Sequence, residues 1–193
     1  SAASGSSTSA SSTSTASATS SDTESESQKC LKASGGIIIS GGTFTLSSHE
    51  DAVNSKGNLS ITGGTFTIKA GDDALHADAN LTISNAALTV RNSNEAIEGK
   101  NITVNSCTIK ITSSDDGFNV NDNSGVFTIN GGNIYVNAEG DGLDSNGSIK
   151  MTSGTVYVDG PTQTGNGAID YNTAFTITGG TLVAAGSSGM AEI

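Results

Sequence analysis

Residues 40–61 read SGGTFTLSSHEDAVNSKGNLSI, and residues 62–83 read TGGTFTIKAGDDALHADANLTI. The two stretches have the same length, share the segment GGTFT and keep their large apolar positions, so the second repeats the first. Related units continue along the chain at a spacing of roughly 22 residues. Repetition at such a period is typical of solenoids, in which each unit buries its apolar side against its neighbours.

Three columns of apolar residues recur in the successive units. The first contains Phe44, Phe66, Leu88, Ile109, Ile134, Val156 and Leu182; the second contains Leu31, Val53, Leu75, Ile97, Phe118, Leu143 and Ile169; the third contains Ile37, Leu59, Leu81, Ile102, Phe127, Ile149 and Phe175. In the first and third columns another apolar residue follows two positions later, which is the alternation of a strand with one buried face. We therefore predict an all-β fold, a right-handed single-stranded parallel β-helix of about seven coils with three strands each.

The corner between the third column and the next first column keeps a constant length. It usually carries a pair of glycines, such as Gly41-Gly42 and Gly131-Gly132, which allow a tight turn through positive φ. Cys107 takes the second of these small positions, and Cys30 takes a position that other coils give to alanine or glycine. We expect both cysteines to be buried fillers, about 14 Å apart and therefore unable to form a disulfide.

The chain divides into a tail and a repetitive domain. Residues 1–27 are almost entirely Ser, Thr and Ala and contain no large apolar side chain, so we expect a disordered linker. The β-helix is expected to occupy residues 28–193. Its last residues, GMAEI, look like the start of a further coil, and we expect the natural protein to continue beyond them.

The charge balance limits the partners. The chain has 8 Lys and Arg against 19 Asp and Glu, a net charge of −11, which argues against nucleic acid and anionic membranes and is compatible with cations. No apolar run is long enough to span a membrane. We expect a monomer.

Stacked coils would place acidic residues in line at the start of the second strand. This acidic column contains Asp51, Asp73, Glu95, Asp116 and Asp141, and a polar column three residues further on contains Asn54, His76, Glu98, Asn119, Asp144 and Asp170. Carboxylates about 4.8 Å apart repel one another unless they are protonated or share a cation. We predict Ca²⁺, which prefers oxygen ligands, held by Asp51, Asp72, Asp73, Glu95, Glu98, Asp115, Asp116, Asp141 and Asp144. The alternative is that these are turn residues; His76 is expected to be exposed and not a ligand.

A second candidate site lies on the outward side of the first strand. This outer column contains Thr45, Thr67, Thr89, Lys110, Tyr135 and Tyr157, and the two tyrosines are expected to stack one coil apart above Lys110. Lys69 and Arg91 are predicted to add two bases in a parallel column. An aromatic platform beside cations could receive a sugar ring and its carboxylate; the alternative is a solvent-facing ladder favoured by β-propensity alone.

The repeated units resemble a known family. The motif G-G-T-x-x-[IL] followed by D-D-[AG]-[ILF]-[NH] is similar to that of the bacterial surface carbohydrate-binding β-helix family, which is related in fold to pectate lyases. The resemblance implies a parallel β-helix, calcium between coils, and binding of polygalacturonate or pectin, with cellulose as a second candidate, without cleavage. It also implies an extracellular location at the bacterial cell surface. The family's acidic pairs correspond to Asp72-Asp73 and Asp115-Asp116, with Glu50-Asp51 as a close variant.

Two other functions stay open at this point. A calcium-dependent pectate lyase would need a strong base beside the metal, for which the chain offers Arg91 with Lys69 nearby. We expect Arg91 to form an ion pair with Glu95 instead. A ligand-free adhesin or stalk is the third possibility.

Overall fold

The computed structural model describes residues 27–188. The expected linker therefore lies outside the described residues except at its last position, and so do residues 189–193. The strands are β1 (Leu31–Ala33), β2 (Ile37–Ile39), β3 (Thr43–Ser47), β4 (Val53–Ser55), β5 (Leu59–Ile61), β6 (Gly64–Lys69), β7 (Leu75–Ser84), β8 (Ala86–Asn92), β9 (Ile97–Asn105), β10 (Cys107–Ser113), β11 (Phe118–Val120), β12 (Val126–Ala138), β13 (Leu143–Ser145), β14 (Ser148–Asp159), β15 (Ala174–Ile177) and β16 (Thr181–Ala185).

These strands stack in parallel on three faces of a solenoid of about seven turns, which confirms the predicted all-β architecture. The first sheet is formed by β3, β6, β8, β10, β12, β14 and β16. The second is formed by β1, β4, β7, β9, β11 and β13, and the third by β2, β5, β7, β9, β12, β14 and β15. Strands β7, β9, β12 and β14 pass from one face to the next. The described part contains no helix that could cross a membrane.

The three apolar columns are register neighbours, as the repeat predicts. Phe44 pairs with Phe66 and Phe66 with Leu88 on the first sheet, and the same holds for the other columns. Their side chains fill the interior, where the rings of Phe118 and Phe127 stack with centroids 4.5 Å apart. Burial is complete in the middle coils and partial at the ends, where residues such as Phe44 and Phe175 pack against the core but stay half-buried.

The glycine corner follows the prediction where glycine is present. Gly42, Gly64, Gly132, Gly154 and Gly180 all have positive φ. In the two coils with Ala86 or Cys107 at that position, the positive φ moves back one residue, to Asn85 and Ser106. Asparagine tolerates this conformation better than most residues, so the corner keeps its length without a glycine.

The two cysteines are both free, but they differ in burial. Cys107 is 1% exposed and is a core filler, as predicted. Cys30 is exposed, so the prediction that it is buried was wrong. It belongs to the first coil that the structure describes, where the core is only partly covered.

Candidate functional site

Backbone hydrogen bonds hold the acidic column in successive layers. The amide of Ala52 donates to the carbonyl of Asp73, that of Ala74 to Glu95, and that of Ala96 to Asp116. Asp141 continues the series, because its carbonyl accepts from the amide of Gly117 in the preceding coil. The acidic residues are therefore neighbours in space although roughly 22 residues separate them in the chain.

The first member of the column already has a cation beside it. Lys29 Nζ lies 2.6 Å from Asp51 Oδ2 and 3.4 Å from Glu50 Oε2. Burial disfavours the charged forms of both side chains. The ion pair with Lys29 and a hydrogen bond from Asn54 nevertheless lower the pKa of Asp51, and the same pair raises the pKa of Lys29. Asp51 is only 3% exposed, so Lys29 compensates a carboxylate that water hardly reaches.

His76 is a member of the acidic site, and the prediction that it is exposed was wrong. Its Nδ1 lies 2.8 Å from Asp73 Oδ2 and 2.5 Å from Glu98 Oε2, and its Nε2 lies 2.9 Å from Asp78 Oδ1. The imidazole is 17% exposed. Hydrogen bonds to Asp73 and then to Glu98 raise the pKa of His76 to about 11, so it is an imidazolium at neutral pH.

In the middle of the column, nearby positive charges and hydrogen bonds do not fully offset the cost of burying ionised carboxyls. Burial, followed by the charges of Asp73 and Glu98, raises the pKa of Glu95 to about 8. Glu95 accepts a 3.0 Å hydrogen bond from the Nδ2 of Asn119 and forms no ion pair with Arg91, contrary to the prediction. The Oδ1 atoms of Asn54 and Asn119 are buried and have no hydrogen-bond partner among residues 27–188.

The C-terminal half of the column has oxygen donors and no basic partner within residues 27–188. Asp141, Asp144 and Asp170 each offer a carboxylate oxygen, and these oxygens lie within 4.8 Å of one another. Burial and then the charges of Asp141 and Asp170 raise the pKa of Asp144 to about 6, and burial raises the pKa of Asp141. Burial also raises the pKa of Asp116 to about 7.

The structure brings together only some of the predicted metal ligands. Close groups form among Asp51, Asp73 and His76, among Asp73, Glu95 and Glu98, and among Asp141, Asp144 and Asp170. Asp72, Asp115 and Asp116 belong to none of these groups in the described part, although Asp72 lines the same cavity as Asp73.

The prediction missed Lys29, which the repeat could have found, and it placed Asp170 in the polar column without naming it as a metal ligand. Lys29 stands 22 positions before Asp51, which is one coil earlier in the acidic column. Asp170 closes the polar column beyond the insertion in the sixth coil, beside Asp144 and Asp141.

The outer column lies on the solvent side of the first sheet. Lys110 pairs in register with Tyr135, and Tyr135 pairs with Tyr157. The tyrosines are 39% and 48% exposed, and Lys110 Nζ lies 5.9 Å from the centre of the Tyr135 ring. Ring stacking among residues 27–188 involves phenylalanines of the core and Tyr171 on Phe175, so Tyr135 and Tyr157 are register neighbours without stacking.

Lys69 and Arg91 lie on the same sheet and line one shallow groove with Thr45 and Thr67. They do not form the straight column that was predicted, because a β-bulge pairs Lys69 with Asn92 and leaves Arg91 as the extra residue of β8. None of Lys69, Arg91 and Lys110 forms an ion pair in the described part of the chain. This part of the first sheet therefore presents three basic side chains that form no ion pair within residues 27–188, on an acidic protein.

Comparison with known proteins places the chain in a family. The model of a family described as carbohydrate-binding domain-containing protein matches residues 2–74 and residues 72–192. These two segments cover nearly the whole chain, so it belongs to this family of carbohydrate-binding domain proteins. No curated protein and no solved structure matches the chain.

Proposed function

We propose that this protein is a non-catalytic, calcium-binding module for acidic plant polysaccharide such as polygalacturonate, working outside the bacterial cell at its surface. Membership of a carbohydrate-binding family supports a polysaccharide partner. The charge and aromatic pattern of the first sheet supports the acidic class of that partner. The resemblance of the repeated motifs to bacterial surface β-helix proteins supports the location.

The observation that carries the proposal is the outer face of the first sheet. Exposed Tyr135 and Tyr157 offer flat apolar surface for sugar rings, and Lys110 stands beside the Tyr135 ring. Lys69 and Arg91 extend the positive charge along the same face and form no ion pair among residues 27–188. In a chain with a net charge of −11, such a face favours an anionic ligand locally.

Calcium fits the C-terminal half of the acidic column better than the N-terminal half. Asp141, Asp144 and Asp170 provide only oxygen donors and lack a basic neighbour among residues 27–188, so Ca²⁺ would relieve their mutual repulsion. At the other end, Lys29 already neutralises Asp51. Calcium at Asp144 would stabilise the stacking of the last coils.

The glycan proposal is tested by affinity electrophoresis or calorimetry with polygalacturonate. Lys110→Ala and Tyr157→Ala should each weaken binding at least about tenfold, because each removes a direct contact on the proposed face. Lys150→Ala is the matched control, since Lys150 is an exposed lysine of the third sheet. Equal loss of binding in Lys150→Ala would contradict a specific site on the first sheet.

A lyase is the second candidate, favoured by the absence of an ion pair at Arg91. Elimination at a uronate would produce an unsaturated sugar that absorbs ultraviolet light. We expect no increase in absorbance when the protein is incubated with polygalacturonate and calcium. A steady increase that disappears in Arg91→Ala would replace the binding module by an enzyme.

A further inference from the structure

One imidazole nitrogen and two carboxylate oxygens converge in the second and third coils. Nδ1 of His76 lies 2.8 Å from Asp73 Oδ2 and 2.5 Å from Glu98 Oε2. Asp73 and Glu98 are themselves within 4.8 Å of each other. The strand register fixes this arrangement, since His76 on β7 pairs with Glu98 on β9, and Asp73 precedes β7 by two residues.

An independent observation points to a ligand beside these atoms. Asn54 pairs with His76 in register and lines the same cavity as Asp73, His76 and Glu98. Asn54 is 3% exposed, and its Oδ1 has no hydrogen-bond partner. A buried carbonyl oxygen without a partner is energetically unfavourable, so such atoms usually contact a bound ion or water.

We propose that Asp73, His76 and Glu98 form a binding site for Zn²⁺ or a similar transition-metal ion, separate from the calcium site at Asp141, Asp144 and Asp170. The proposal does not depend on glycan binding.

The donor set selects the class of metal. An imidazole nitrogen is a poor ligand for Ca²⁺ but a common one for Zn²⁺, and one histidine with two carboxylates is a set that borderline metals accept. Zinc binding would release the proton on Nδ1 of His76 to solvent, because a ligating imidazole is neutral. Tetrahedral zinc with bonds of 2.0–2.1 Å places its ligand atoms about 3.3 Å apart, so Nδ1 of His76 needs to move away from each carboxylate oxygen by less than about 1 Å. Lys29 stands 2.6 Å from Asp51 and keeps the cation away from that carboxylate.

Titration calorimetry with ZnCl₂ on chelator-treated protein tests the site. We expect one zinc ion per chain, and His76→Gln should weaken its binding at least about tenfold while leaving calcium binding unchanged. His49→Gln is the matched control, because His49 is exposed and lies outside the column. Circular dichroism shows whether each variant keeps the fold.

Cobalt substitution provides a second readout. Co²⁺ in the same site should give visible absorption bands that His76→Gln and Glu98→Gln abolish and His49→Gln keeps. The absence of zinc binding in the parent protein would overturn the proposal. So would zinc binding that His76→Gln and Glu98→Gln leave unchanged, or that calcium displaces by direct competition.

Discussion

Single residues decide how the acidic column is compensated. Lys29 and His76 bring positive charge into its N-terminal half, where they contact Asp51, Asp73 and Glu98. The C-terminal half contains carboxylates alone within the described residues. One column, uniform in the sequence, therefore contains two different electrostatic environments.

Replacing Lys29 should destabilise the protein, because Asp51 would become a buried charge without a partner. For Lys29→Met we expect a loss of about 2 kcal/mol in the free energy of unfolding, below the range for fully buried pairs because Lys29 is 16% exposed. Urea denaturation measures this loss, and Lys32→Met, an exposed lysine of β1, is the control. The double variant Lys29→Met/Asp51→Asn should recover part of the stability; no recovery would contradict the role of the pair.

At the scale of the element, the constant corner between the third and first sheets is a backbone requirement. Gly132 has φ of 107°, and a Cβ there would overlap the backbone of Cys107. Gly41 begins the equivalent corner of the first coil, where a Cβ would meet open space. Gly132 is therefore required by the backbone of its corner, whereas Gly41 is replaceable.

This difference gives a prediction for two alanine variants. Gly132→Ala should lower the free energy of unfolding by about 2 kcal/mol or more, since it combines a positive φ with a backbone clash. Gly41→Ala should be neutral or slightly stabilising, because alanine restricts the unfolded chain. Thermal melting of both proteins measures the difference, and equal melting temperatures would show that the corner relaxes freely.

The sequence predicts the elements well because the solenoid converts a period into contacts. Phe44, Phe66 and Leu88 are spaced by one coil, and this alone gives their register. Three features escape such reasoning. The bulge at Arg91 depends on local hydrogen bonding, the exposure of Cys30 depends on its place in an end coil, and the burial of His76 depends on which carboxylates surround it.

Asparagine side chains also connect the coils, and the sequence pattern did not predict these contacts. Asn80 and Asn101 each donate through Nδ2 to the Oδ1 of the asparagine one coil earlier, starting from Asn58. A second ladder joins Asn130 to Asn105. These residues read as ordinary turn formers in the sequence, since one asparagine per turn is common.

For the whole molecule, the raised pKa values predict that the metal-free protein is less stable at alkaline pH. The pKa is raised to about 8 for Glu95, about 7 for Asp116 and about 6 for Asp144. Each of these carboxyls binds more protons in the folded than in the unfolded state between its ordinary and its raised pKa. The free energy of unfolding therefore falls as the pH rises from about 4.5 to about 8.

Melting temperatures in chelator should accordingly be highest near pH 5 and several degrees lower near pH 8. Calcium should restore the loss at pH 8, where the carboxylates are ionised, and should have less effect at pH 5. Asp144→Asn should reduce the rise in melting temperature that calcium causes at pH 8. Asp159→Asn, at an exposed position on the first sheet, should leave that rise unchanged. A melting temperature that rises from pH 5 to pH 8 in chelator would contradict this account.

The graded burial along the solenoid has a consequence for how the molecule opens. Phe118 and Phe127 are completely covered, whereas Phe44 and Phe175 near the two ends are only half covered. Because each coil is held only by the coils on either side, the outermost turns can peel away one at a time while the centre stays closed. Amide deuterium exchange should therefore proceed inwards from both ends, one coil after another, and reach the coil of Phe118 last.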